Sequence, residues 1–157
     1  MAVGAAVLAV GVHAAPLVGP GLAQSAPTDI VGVWIDHTNQ GAVEFYLCGE
    51  RLCGRIAWIK EPFDAKGRPM TDSQNSDRAK RNRPMCGLQL VGDLARTANN
   101  AFENGWIYNP DDGDTYSVEV RLASPNVLLV HGYLGMKILG ETFTWRRAPG
   151  TLQRCKA

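Results

Sequence analysis

The segment 61–84 concentrates the groups in this chain that could do chemistry. It carries Asp64, Lys66, Arg68, Asp72, Asn75, Asp77, Arg78, Lys80, Arg81 and Arg83. Carboxylates interleaved with cations can hold a polar ligand head, or act as acid and base when brought close together. One expectation is therefore a lid, with Asp72, Asn75 and Arg83 meeting a polar ligand group. The weightier one is a solvated loop pinned by its own side chains, because Asp and Asn stabilise turns locally. As a nucleic-acid surface the segment is poor: acids interrupt the basic residues, and the whole chain has a net charge of only +1.

His131 alternates with Leu129 and Tyr133, which predicts an inward-facing ring. Such a histidine is more often a satisfied core group than a pH-sensitive ligand contact. Asp111, Asp112 and Asp114 do not have the spacing of a twelve-residue calcium loop, so turn chemistry explains them. His37 reads as an exposed turn residue. No Gly-x-Ser-x-Gly, His-Glu-x-x-His or phosphate-loop pattern occurs. A carboxylate pair such as Asp72 with Glu141 is the weakest idea, and no catalytic residue, metal or cofactor is assigned. The expectation is a protein that is not an enzyme.

Four cysteines, Cys48, Cys53, Cys86 and Cys155, allow three pairings. A four-residue hairpin loop at 49–52 would set Cys48 opposite Cys53 and leave Cys86 for Cys155. In the chain-entropy model the short bridge is worth about 2 kcal/mol and the long one about 4 kcal/mol. Cys-x4-Cys is wide for zinc, and no histidine is near in sequence.

Positioning these groups falls to short alternating segments separated by turns: 30–36, 42–48, 53–60, 86–91, 101–109, 114–122, 127–133 and 141–147. Pairing Cys48 with Cys53 would put Phe45 opposite Ile56, Val43 opposite Trp58 and Tyr46 opposite Arg55, with apolar residues sharing a face. Tyr116, Val118, Val120 and Leu122 alternate with polar residues, a period of two. Pro110 and Gly113 mark the turn before them. No helical period, repeat or second domain is visible. The pattern predicts an all-β chain: a single antiparallel up-and-down barrel of about eight strands, with a two-sheet sandwich as the competing architecture. By alternation Trp34, Trp58, Trp106 and Trp145 would all point inward.

The first charged residue is Asp29, and small and apolar residues precede it. Residues 1–23 read as a removable export signal, although the usual basic start is missing. That leaves 24–157 as one barrel domain with a long loop at 61–84, and no transmembrane segment in the mature chain. Export and an even cysteine count agree on an oxidising periplasmic or secreted location.

Several blocks carry a family resemblance: Gly32-Val33-Trp34, Leu52-Cys53-Gly54-Arg55-Ile56, Asp72-x-x-Asn75-x-Asp77, Arg83-Pro84-Met85-Cys86-Gly87-Leu88, the run from Gly105-Trp106 to Thr115-Tyr116, Gly132-Tyr133-Leu134-Gly135, and Thr144-Trp145-Arg146. In this order they resemble domain-of-unknown-function family 2147, exported bacterial proteins. Ser76 stands where that pattern has proline. The resemblance implies a lipocalin-like barrel in the envelope and no established reaction. More distantly, Gly-x-Trp with Arg146 or Arg147 is similar to the tryptophan–arginine closure of lipocalins and other calycins, worth ~1 kcal/mol when desolvated.

The expected function is binding of a small, mainly apolar molecule inside the barrel, lined by Trp34, Phe45, Trp58, Trp106, Tyr116, His131, Tyr133 and Trp145. The alternative is a filled barrel that binds an envelope protein through its loops, since Met136, Ile138 and Leu139 are apolar for a loop tip.

Overall fold

The computed structural model describes residues 29–155; the predicted export signal at 1–23 lies outside them. Eight strands follow one another: β1 (Gly32–Ile35), β2 (Gly41–Cys48), β3 (Arg51–Ile59), β4 (Gln89–Ala98), β5 (Ala101–Asn109), β6 (Asp114–Ser124), β7 (Val127–Tyr133) and β8 (Glu141–Arg147). Each pairs antiparallel with its sequence neighbour, and β1 pairs with β8, closing a barrel. Closure removes the free sheet edges that a sandwich would expose. Two single 3-10 turns, Arg78–Lys80 and Lys137–Leu139, interrupt the loops.

The register identifies the inner face. Gly32 opposes Phe45, which opposes Gly54, then Val91, Ile107 and Tyr116 in turn around the wall. On the other side Phe102 opposes Val120, Val120 opposes Val130, and Val130 opposes Phe143. Trp34, Phe45, Leu52, Val91, Leu94, Phe102, Val118, Val120 and Leu128 are all buried to within 1% of completely. The lower barrel is therefore a packed core. Gly105 permits the tightest approach there: a Cβ would sit 2.5 Å from Leu94 Cγ and 2.7 Å from the Gly92 carbonyl oxygen.

The β2–β3 hairpin differs from expectation. Its loop has two residues, Gly49 and Glu50, with Cys48 opposite Arg51 and Gly49 at φ +70°. Phe45 meets Gly54, Val43 meets Ile56 and Tyr46 meets Cys53, instead of Ile56, Trp58 and Arg55. The shift is two residues, so the faces survive. The Cys48–Cys53 bridge runs diagonally, with Cα atoms 5.9 Å apart. Cys86 pairs with Cys155. The latter ties the C-terminal tail to the wall, where the Cys155 amide also donates to the Ala57 carbonyl at 2.9 Å.

β4 is longer than the predicted segment 86–91. It continues through Gly92 and a left-handed Asp93 (φ +58°) to Ala98. A residue that reads as a strand breaker is thus absorbed as a bulge.

Candidate functional site

The barrel has a sealed end and an open end. At the sealed end the Trp34 indole N–H donates to the Ile30 carbonyl at 2.8 Å. The Arg147 guanidinium lies 4.2 Å from the centre of the Trp34 ring and donates to the carbonyls of Pro125 (2.7 Å), Val31 (3.4 Å) and Asp29. One cation thereby ties β8, the β6–β7 turn and the N-terminal approach together. Of the two arginines proposed for this closure, Arg147 makes it, because Arg147 opposes Trp34 whereas Arg146 opposes Ile35 on the other face.

At the open end the apolar inward side chains, Ile59, Ile107, Tyr116 and Phe143, are only half-buried, and Ile59, Ile107 and Phe143 pack down on the core. The exposed Glu141, opposite Gly132, stands on the same face at the rim. Gly132 faces the same interior, opposite Val118, and a Cβ built on it meets no atom within 4 Å. Tyr116 reaches the rim, where its hydroxyl donates to Asp112 at 2.9 Å. The His37 ring stacks on Phe143 at 4.3 Å, beyond the last β1–β8 pairing at Ile35 and Arg146. The result is a shallow, mainly apolar mouth above a filled floor, with the Glu141 carboxylate at its rim.

Half of the predicted lining takes other positions. Trp34, Phe45, Tyr116 and Trp145 face inward. Trp145 opposes Leu128 and stands 6.1 Å from the Phe45 ring; its indole nitrogen is buried without a hydrogen-bond partner among the described residues. Trp58 faces outward, because an irregularity between Ala42 and Val43 sets it opposite Ala42 rather than Val43. Trp106 also faces outward. A left-handed Asn104 (φ +60°) bulges β5, so that Gly105 turns in and the next ring lies over Gly92, with its N–H on Asp93 at 2.9 Å. His131 and Tyr133 lie on the outer face, opposite Glu119 and Ser117. The inward residues of β7 are Leu128, Val130 and Gly132. Apolar side chains on both faces of this strand had masked its true phase.

The polar triad of the long loop does assemble, but away from the mouth. Asp72 is fully buried and Asn75 nearly so. The Tyr108 hydroxyl donates to Asp72 Oδ1 at 2.6 Å, and Arg83 Nε and Asn75 Nδ2 each donate to Oδ2 at 2.8 Å. The Asn75 amide also donates to the Tyr108 hydroxyl at 3.0 Å and accepts from the Asp77 amide at 2.9 Å. Tyr108 opposes Thr115, on the outer face of β5. Burial first, and the Asp72 carboxylate second, push the Tyr108 hydroxyl pKa up. These side chains satisfy one another, so the loop is fastened to the outer wall. The expected meeting of Asp72, Asn75 and Arg83 with a ligand gives way to a structural pin. Tyr108, which holds it, was missed; the period of two along β5 before Pro110 was the available signal.

A second polar group occupies the outer wall of β5 to β8. Lys137 Nζ bridges Glu103, at 2.9 Å, and Glu119. These hydrogen bonds, the Glu119 one first, hold the Lys137 ammonium above the usual lysine range. His131 Nε2 stands 2.9 Å from the Lys137 carbonyl, and Nδ1 stands 2.8 Å from the Thr142 hydroxyl. A carbonyl can only accept, so Nε2 donates to it. A concavity of about 310 Å³ lies here, lined by Glu103, Glu119, Arg121, Leu129, His131 and Thr142 among others. His131 is the only residue of the predicted lining that borders it. Among the described residues no group of three or more His, Cys, Asp or Glu side chains is placed to hold a metal ion.

Known proteins give the same frame. The family model described as "Uncharacterized protein conserved in bacteria (DUF2147)" matches residues 32–147. No curated protein matches the sequence. A solved structure described as "Protein HP1028 from the human pathogen Helicobacter pylori belongs to the lipocalin family" superimposes with a TM-score of 0.67 at 25% identity. The match covers 77% of this chain and 84% of that one. The shared barrel and the family match over all eight strands lead to one conclusion: the chain belongs to the DUF2147 family and has a lipocalin-like fold.

Proposed function

We propose that this chain is an exported, non-enzymatic binding protein of the bacterial envelope that takes a small, mainly apolar molecule in the mouth of its barrel. The observation that carries the reading is the ring of half-buried Ile59, Ile107, Tyr116 and Phe143 around the open space at Gly132. A lipocalin-like barrel is suited to a small ligand at this place. The two disulfides and the bacterial family support an extracytoplasmic location.

The filled floor limits what the mouth can hold. Burying roughly 200 Å² of apolar surface at ~25 cal/mol per Å² is worth about 5 kcal/mol, a dissociation constant on the order of 0.1 mM. Such a ligand exchanges quickly and is lost on purification, so titration in solution is the suitable test. Backbone and methyl NMR of the mature protein, titrated with medium-chain alcohols and fatty acids, should show saturable shifts centred on Ile59, Ile107, Gly132 and Phe143. Shifts scattered over the outer wall, or none, would overturn the reading.

A further inference from the structure

The loops β3–β4 (60–88) and β7–β8 (134–140) leave the same end of the barrel. They lie four strands apart, so they stand on opposite sides of the mouth. In the second loop Leu134, Met136, Ile138 and Leu139 are 76, 63, 88 and 72% exposed. The loop's one cation, Lys137, is drawn back onto the wall by Glu103 and Glu119, and the Lys137 carbonyl is held by His131. The tip is therefore apolar and carries no outward charge.

Across the mouth, Phe63 and Met70 are exposed at 59 and 41%, beside the Phe63–Pro69 bridge. Segment 60–88 has seven Lys or Arg residues against four Asp or Glu. Arg68, Lys80 and Arg83 are ion-paired, whereas Lys60, Lys66 and Arg78 have no ion-pair partner among the described residues.

Four apolar side chains offer a few hundred Å², well short of the roughly 800 Å² per partner of a stable protein interface. A protein would have to match two protrusions separated by the mouth. A bilayer touches both without matching either, because it is flat and extended, and its interface accepts a few apolar side chains next to cations.

We propose that the mouth end of this barrel docks on a lipid surface that contains anionic headgroups. Leu134, Met136, Ile138 and Leu139 enter the interfacial layer on one side, and Phe63 with Lys60 and Lys66 contacts it on the other. The docking does not require a ligand in the barrel.

Flotation of the mature protein tests this, using vesicles of phosphatidylcholine alone or with about a third phosphatidylglycerol. The wild type should float with the mixed vesicles and far less with the neutral ones. Ile138→Glu with Leu139→Glu should lower the partition at least ~10-fold at an unchanged unfolding temperature, since neither side chain is packed. Lys60→Glu with Lys66→Glu should abolish the preference for anionic lipid. The proposal is overturned if the wild type stays soluble with both vesicles, or if the apolar-tip variant floats as well as wild type. Sedimentation velocity showing a dimer that Ile138→Glu dissociates, with no flotation, would assign the tip to a second copy and also overturn it.

Discussion

Replacing Asp72 with alanine separates a fastening role from a ligand-contact role for the long loop. The substitution removes three hydrogen bonds, from Tyr108, Arg83 and Asn75, to a fully buried carboxylate. The stranded groups differ in cost. The Arg83 side chain is 37% exposed and can turn to water. The Tyr108 hydroxyl and the Asn75 amide are buried, and each loses a charge-assisted partner. Leaving buried polar groups unpaired costs about 1–3 kcal/mol each, so the whole change should cost about 3 kcal/mol. For a domain of this size that lowers the unfolding temperature by roughly 10 °C. Differential scanning fluorimetry reads the shift, and the ligand titration is repeated on the folded variant below its transition. Affinity in the mouth should change less than threefold, because the network lies on the outer face of β5. An unfolding temperature within about 2 °C of wild type, together with lost binding, would instead assign Asp72 to ligand contact.

Other substitutions test the packing and the electrostatics. Gly105→Ala drives a methyl against Leu94 and the Gly92 carbonyl and should lower stability by about 2–3 kcal/mol in urea titrations. Gly132→Ala meets nothing and should shift the urea midpoint little. Burial opposes the charge on Glu44, but hydrogen bonds from Arg55 and Arg154 lower its carboxyl below the usual range. A lowered pKa contributes stability that is present above the unfolded value of about 4.3 and is lost as pH falls through the folded one. Glu44→Gln should therefore be about 1 kcal/mol less stable at pH 7 and converge with wild type in acid. Tyr108 has the opposite sign. Its raised pKa stabilises the fold below about pH 10 and stops doing so as pH climbs past the folded value. Wild type should thus lose more stability than Tyr108→Phe between neutral and strongly alkaline pH, as followed by circular dichroism.

The strands were legible where polar and apolar residues alternate without interruption. β5, β7 and β8 begin and end at the predicted residues, and β6 runs two residues further. Both disulfides were also within reach, since cysteine spacing constrains them, and the tryptophan closure that the resemblance to calycins implied with Arg146 or Arg147 is made by Arg147. What escaped were single-residue irregularities. Left-handed Asn104 on β5, and the extra residue Ala57 that the Ala42/Val43 slip leaves on β3, each reverse the face of the strand residues that follow, which is why Trp58 and Trp106 lie outside. Asn104-Gly105 is a turn-type pair inside the strand, a local signal of the bulge that alternation alone passes over. His131 and Tyr133 were misplaced for another reason: Leu128, Leu129 and Val130 are apolar in succession, and periodicity cannot choose a phase there. Phe143 was recoverable, since it shares the face of Trp145 two residues on. Gly132 was not, because a glycine reports empty space only once its neighbours are known.

The reading rests on the mouth being a real receptacle, and the affinity of wild type against Gly132→Leu measures this most directly. A leucine at that position projects into the open space, where a Cβ meets no atom within 4 Å, while Gly132→Ala serves as the mild control. Titration calorimetry with a medium-chain alcohol should give one saturable site in wild type, little change in the alanine variant and at least ~10-fold weaker binding in the leucine variant, with all three equally folded. Equal affinity in all three proteins, or no saturable site in wild type, would contradict the account.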